Sequence, residues 1–274
     1  MAAVRPAAHR IVRRLKLGTT LLGLAIGADS LPTPELGSCA PSAWARHAKG
    51  RLIVLPGVGN TRFHLEGFVT RIERQSPHLE VEVRPWGVPL LALHNLRAEQ
   101  RNLGVAAELA AEIAAWRRAH PDELMYLLGY SGGGGIATLV AAGLPEDVSI
   151  DRLVLVAPAI SPDYPLAERV LPHVEDFVVN YASARDLQVG WGTRVFGTID
   201  RVEAESAGAV GFASASPRVL QWTWTPAELG LGHRGNHLSY LGRRWQTARL
   251  LPALDPGSRA RDIRRAWSRR CGGL

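Results

Sequence analysis

From residue 51 onward the chain alternates short, continuous apolar runs with longer stretches whose apolar residues recur at helical spacing. The runs RLIVLPG (51–57), LEVEVRPW (79–86), LMYLLGY (124–130), DRLVLVAP (151–158), DFVVNYA (176–182) and VLQWTW (219–224) predict strands. Most lack the polar alternation of a half-exposed sheet, so these strands are expected to be buried on both faces. Between them, 62–75, 96–119, 134–143 and 240–253 predict helices, with Leu109, Ile113 and Trp116 on one face of the second. Such alternation predicts an α/β fold, a mostly parallel sheet with helices on both faces. Ligands of these sheets bind at the carboxyl ends of the strands, so the residues just after each strand carry the interest.

Residues 1–50 break this rhythm. A basic stretch precedes the apolar LGTTLLGLAIGA (17–28), which is too short to span a bilayer and is followed by Pro32 and Pro34. That order predicts an export signal and linker, and so an exported or cell-envelope protein; the alternative is a basic leader on a cytoplasmic one. LGSC at 36–39 resembles the lipobox of bacterial lipoproteins, with Cys39 as the lipidated residue. The only other cysteine is Cys271, so no disulfide framework or cysteine-rich metal site is expected.

The net charge of +7 changes the picture less than it suggests. Residues 1–16 carry +5 and residues 256–274, with six arginines and Asp262, carry another +5, which leaves −3 for everything between. Basic tails of this kind permit weak contact with anionic membranes, but they argue against a continuous nucleic-acid face and against a specific nucleic-acid partner. The chain therefore divides into a leader (1–50), a catalytic-size domain (51–255) and a basic C-terminal tail (256–274).

Candidate chemistry concentrates at GYSGGGG, residues 129–135, directly behind a predicted strand. A Walker-type phosphate loop would end in Lys then Ser or Thr, whereas Ile136 and Ala137 follow here. A dinucleotide loop is no better supported, because GVGNTR at 57–62 has Arg62 in place of its third glycine. Gly129, Ser131 and Gly133 do fit G-x-S-x-G between strand and helix, a turn that lifts a serine to the end of the sheet. Glycine two residues to either side removes the side chains that would collide in so tight a turn.

A serine hydroxyl needs a base, and the base needs a carboxylate to fix its tautomer. Downstream, FVVNYASARD ends at Asp186 after a predicted strand; Asp163 is expected to cap a helix, and Asp200 lies farther from any strand end. His237, in GHRGNHLSYLGRRW, stands just ahead of the predicted closing helix and is the expected base, with His233 as the alternative. The i, i+4 spacing of these histidines could also suit a metal, but no HExxH glutamate is present and the glycines predict a loop. No metal or other cofactor is expected. Gly132 and Val58, the latter in LPGVG after the first strand, are the expected backbone donors of an oxyanion hole.

These residues resemble the α/β-hydrolase superfamily over roughly residues 51–253. GYSGGGG, VFGTIDR and GHRGNHLSY are similar to a bacterial subgroup of that fold carrying GxSGGGG, FGTID and GHxGxH motifs. The resemblance implies a serine hydrolase with the triad Ser131, Asp186 and His237, acting through an acyl-enzyme on a small-molecule ester, thioester or amide. PGVG departs from the His-Gly start common to the superfamily's oxyanion loop. The short span between Pro158 and Asp176 predicts no large lid domain. Acyl transfer with the same triad, or a catalytically silent envelope or interaction protein, are the rival readings.

Overall fold

The computed structural model describes residues 49–60, 65–214 and 216–268. The expected export signal with Cys39 lies outside the described residues, as do His64 and Cys271. The six predicted strands are all present: β1 (Gly50–Leu55), β2 (Leu79–Val83), β3 (Leu124–Tyr130), β4 (Ile150–Val156), β5 (Val174–Ala182) and β6 (Val219–Thr223). They form one sheet in the order β2-β1-β3-β4-β5-β6, and every pair is parallel. The continuous apolar runs of β1, β3, β4 and β5 follow from burial on both faces, whereas the edge strands β2 and β6 alternate; Leu52, Ile53, Val54 and Leu55 of β1 are entirely excluded from solvent.

The chain leaves β1 for the edge strand β2, then returns past β1 to begin β3. The order therefore reverses between β1 and β3, where the connecting segments part to opposite sides and leave a crevice. Register aligns Leu55 with Gly129, so both strands end at the same level beneath that crevice.

The helices are α1 (Glu66–Gln75), α2 (Ala92–Arg97), α3 (Glu99–Ala119), α4 (Gly132–Ala142), α5 (Leu166–Arg169), α6 (Leu187–Phe196) and α7 (Ala207–Val210), with more beyond β6. The predicted helix at 96–119 is α3 with a break ahead of it, since Ala98 at ψ 64° leaves the helical region and separates α2. Leu109 and Ile113 of α3 are buried as the spacing predicts, and Trp116 packs partly against the same core. The predicted closing helix is α8 (Arg243–Trp245), a π-helical turn (Gln246–Leu250) and α9 (Leu251–Leu254). Pro252 lacks the N–H that a regular helix would use there, and the wider turn falls just before it. Only α5 and a 3-10 turn at Leu171–His173 separate β4 from β5, so no lid domain is inserted there.

The expected basic tail differs from a free segment in its first half. Residues Ala260–Ser268 form α10, whose Ile263 is fully buried and whose Trp267 lies 5.7 Å from the Tyr181 ring. Arginine accounts for this docking. The Arg152 guanidinium, 2% exposed, donates to the carbonyls of Ala253 (3.0 Å), Asp255 (2.7 Å) and Ser258 (2.8 Å) and pairs with Asp176 at 2.9 Å. Arg249, paired with Glu228 at 2.9 Å, donates to the Ala266 carbonyl at 2.6 Å. Arg261 and Arg265 are exposed, and Arg264 donates from Nη2 to the Pro217 carbonyl at 2.9 Å. Ile263→Ala is expected to destabilise the protein by about 2–4 kcal/mol, the cost of an emptied buried site. Urea unfolding checks this, and a change below about 0.5 kcal/mol, as at a surface position, would show that α10 is not part of the packed body.

Candidate active site

Ser131 stands between β3 and α4 at φ 57° and ψ −125°, a left-handed backbone that residues with side chains rarely adopt. The flanking glycines make the turn possible. A methyl group on Gly129 would come within 2.3 Å of the Gly133 carbonyl oxygen, and one on Gly133 within 2.2 Å of the Leu55 carbonyl oxygen. Neighbouring strand ends hold the turn: Ser131 N–H donates to Val156 O (2.9 Å), while Ser131 O accepts from Gly134 N (2.9 Å) and Ala159 N (3.0 Å). The hydroxyl faces a cleft of about 590 Å³ at the carboxyl edge of the sheet.

His237 lines the same cleft, on the 3-10 turn His237–Leu241 that follows β6. Its Nδ1 lies 2.6 Å from Asp186 Oδ2. A carboxylate oxygen accepts, so Nδ1–H is the donor of this contact, and Nε2 is the ring nitrogen it does not use. Asp186 is 1% exposed and divides its oxygens. Oδ2 meets the histidine, while Oδ1 caps α6 by accepting from Gln188 N (3.1 Å) and Val189 N (3.4 Å). The structure thus joins Asp186 to His237 and sets Ser131 in their cleft. Among the described residues Ser131 Oγ has no hydrogen-bond partner, His237 included.

The other sequence candidates lie elsewhere. His233 is wholly buried in an aromatic cluster, with ring centroids 4.3 Å from Tyr240, 5.3 Å from Trp245 and 5.7 Å from Trp222. It does not line the cleft. Its Nδ1 accepts from Gly235 N at 3.1 Å and so tightens the loop that delivers His237. Burial pushes the His233 pKa down to about 4, keeping the ring neutral. Asp200 Oδ1 accepts from Thr198 Oγ1 and Ser161 N and braces a loop. Asp163 is exposed and caps no helix; α5 begins after Pro165 without a side-chain cap. Among the described residues no group of three or more His, Cys, Asp or Glu is placed to hold a metal ion.

Val58 and Gly132 are brought together. A methyl group on Gly132 would overlap Val58 Cγ1 at 2.3 Å and come within 3.3 Å of Val58 N. Among the described residues neither Val58 N nor Gly132 N donates a hydrogen bond, and Gly132 opens α4, whose N-terminal dipole favours negative charge. The turn bearing Val58 is closed by Asn60 N to Gly57 O (2.8 Å) and held by residues that local sequence patterns do not reveal. Trp86 Nε1 donates to Pro56 O (2.7 Å), Trp86 N to Asn60 Oδ1 (2.8 Å), and Asn95 Nδ2 to Val58 O (2.7 Å). Asn60 itself adopts φ 49°, which asparagine tolerates better than most residues. Tyr130 is a further such residue. Its ring lies 4.8 Å from that of His237, and its hydroxyl, held protonated by burial, donates to the His237 carbonyl at 3.0 Å.

Compared with known proteins, residues 103–210 match a hydrolase family described as serine aminopeptidase, S33. No curated protein sequence matches the chain significantly. Among solved structures, a lipase B from Aspergillus fumigatus is 15% identical and covers 83% of this chain and 58% of its own, with a TM-score of 0.49. A dienelactone hydrolase from Anabaena variabilis is 19% identical over 81% of this chain and 86% of its own, at a TM-score of 0.41. The RedJ thioesterase from the prodiginine pathway of Streptomyces coelicolor is 18% identical over 65% of this chain and 78% of its own, at 0.36.

The neutral state of His233 has a consequence for stability. The unfolded chain binds a proton at this histidine below pH 6.5 and the folded chain only near pH 4, so stability is expected to fall as pH drops through that window. The shift corresponds to about 3 kcal/mol at its limit. Urea midpoints at pH 7 and pH 4.5 should differ less in His233→Phe than in the parent protein; equal differences would show that His233 does not titrate in this way. With a six-stranded, all-parallel sheet, flanking helices and a serine turn after the third strand, the chain has an α/β fold, and it is similar to the S33 hydrolases over residues 103–210.

Proposed function

We propose that the protein is a serine hydrolase that cleaves a carboxylic ester or thioester through an acyl-enzyme, with Ser131 as nucleophile, His237 as base and Asp186 as its orienting acid. The observation that carries this reading is the 2.6 Å contact of His237 Nδ1 with buried Asp186, in the cleft where Ser131 is held in a strained turn. Ser131 Oγ attacks the carbonyl carbon while its proton passes to His237 Nε2. The tetrahedral oxyanion is received by the unpaired N–H groups of Val58 and Gly132. As the bond to the leaving group breaks, His237 returns the proton to the departing oxygen or sulfur. Water then attacks the acyl-serine with His237 again as base, releasing the carboxylic acid and restoring the serine. The open contact between Ser131 and His237 suits a free enzyme, since such hydrogen bonds often tighten only when substrate binds.

The basic leader with its apolar run supports export as the setting for this activity, and the exposed arginines of α10 support accessory contact with anionic surfaces.

Ser131→Ala and His237→Ala should each lower kcat on a nitrophenyl ester by at least about 10³-fold, because attack and proton transfer form one device. Ser131→Ala should also abolish labelling by a fluorophosphonate. Asp186→Asn should lose less than either, since the imidazole remains in place with the wrong tautomer favoured. Val58→Pro deletes one proposed oxyanion donor at the second position of a turn, where proline is tolerated, and should cost about 10²-fold in kcat. Circular dichroism of each variant confirms folding. Wild-type turnover by folded Ser131→Ala would dispose of the reading.

A further inference from the structure

Apart from Ser131 and His237, the cleft is walled by hydrocarbon: Leu90, Leu93, Leu96, Val189, Phe196 and Leu238 stand around it. Among the described residues no Asp, Glu, Lys or Arg lines it. Three of its four remaining polar side chains are already engaged, Tyr130 through its hydroxyl on the His237 carbonyl. Asn60 accepts from Trp86 N through Oδ1 and donates to Gly87 O through Nδ2, and Thr193 Oγ1 donates to Val189 O at 2.5 Å. Gln188 is the fourth and lies at the exposed rim.

These walls exclude more substrates than they admit. A peptide or amino-acid ester carries an ammonium group beside its reacting carbonyl, and removing that group from water without a carboxylate partner is strongly unfavourable. Among the described residues a carboxylate or phosphate would equally lack a cation, and a sugar would find few free hydrogen-bonding groups. The matching family is described as serine aminopeptidase, and an aminopeptidase site would need an anionic group that the described residues of this cleft do not present. The rim carries the same chemistry outward. Leu90 is 80% exposed and Leu238 58%, and both also line the cleft, while Leu187 next to Gln188 is 74% exposed. Single exposed leucines are ordinary, but a set of them continuous with a cleft marks a surface that apolar matter covers.

We propose that the acyl group taken by this site is an uncharged hydrocarbon chain, laid along Leu90 and Leu93 on one side and Phe196 and Leu238 on the other, and that amine-bearing substrates are rejected. The inference rests on the serine-hydrolase reading above and specifies its substrate class: an aliphatic acyl ester, which water converts to the aliphatic acid and an alcohol.

The test uses the full chain and a series of nitrophenyl esters kept below their aggregation concentrations, from acetyl through butyryl and hexanoyl to octanoyl. kcat/KM should climb by about three- to fourfold per methylene as the chain fills the cleft. A matched pair isolates the amine. The nitrophenyl ester of leucine and that of 4-methylpentanoic acid differ by one amino group, and the second should be favoured at least about tenfold after each rate is divided by its uncatalysed rate. Leu93→Asp, at a half-exposed position, should lower the ratio of octanoyl to acetyl kcat/KM at least about tenfold. A chain-length profile that is flat or falling, a preference for the leucine ester, or an unchanged ratio in Leu93→Asp overturns the inference. If Ser131 is still labelled by a fluorophosphonate and the acetyl ester is still cleaved, the hydrolase reading survives that result. Absence of both labelling and turnover on every ester removes the hydrolase reading, and this inference with it.

Discussion

At Ser131 a residue with a side chain is held at φ 57° and ψ −125°, and much of the surrounding architecture follows from carrying that strain. A non-glycine residue in this region costs on the order of 1–3 kcal/mol, so it persists only where its neighbours leave no alternative. Here β3 must end and α4 must begin within one residue, and both backbone groups of Ser131 are tied to the ends of neighbouring segments. Gly133 packs against the carbonyls of Leu55 and Pro56 so closely that α4 can start only with β1 and its following turn in place. The strained serine therefore fixes the Val58 turn as well as itself. The parallel register that sets Leu55 beside Gly129 makes this one event serve two strands.

The histidine side of the cleft is held by a different logic. Asp186 is the first residue past the β5 turn and also the cap of α6, so its carboxylate is fixed by backbone N–H groups before it meets His237. His237 in turn rests on Tyr130, the residue preceding the serine, which donates to its carbonyl from below. Ser183 Oγ donates to the Gly235 carbonyl at 2.7 Å, and His233 accepts the Gly235 N–H, so the loop is gripped from β5 and from the aromatic cluster together. Pre-organisation of this kind matters because a catalytic imidazole displaced by an ångström loses much of its effect. The two halves meet at Tyr130, which belongs to the serine turn and supports the histidine.

Some of this was readable in the sequence and some was not. The strands were legible because burial on both faces writes continuous β-branched runs, and each was found within a few residues. That Ser131 and His237 share one cleft, with Asp186 behind the histidine, was legible because the segments after β3, β5 and β6 gather at one end of the sheet and strand ends were predictable. Helix α6 was missed: LQVGWGTRVF contains two glycines and keeps Leu187, Val195 and Phe196 toward solvent, so no buried stripe announces it. Helix α10 was hidden by its arginines, although Ile263 and Trp267, four residues apart, give it one apolar side. The supports of the Val58 turn, Trp86 and Asn95, lie 28 and 37 residues away from Val58 and meet it only through the fold. The choice between His233 and His237 depended on the same kind of non-local information, because Trp222 and Trp245 come from opposite sides of the loop.

The buried arginines show how the two ends of the sheet are divided between tasks. Arg152 and Arg249 satisfy carbonyl groups of the C-terminal segment, and each is matched by a carboxylate, Asp176 or Glu228. Breaking such a pair strands a buried charge, which makes these contacts specific as well as stabilising. The cleft at Ser131 uses the opposite solution. Asp186, behind the cleft wall, is covered by His237 and by the first turn of α6, and the described walls are mostly hydrocarbon. An oxyanion forming there would meet backbone dipoles in surroundings of low polarity, where fixed donors act more strongly than in water. Among the described residues charge thus holds the C-terminal segment and is kept out of the cleft lining, where an anion would meet backbone donors alone.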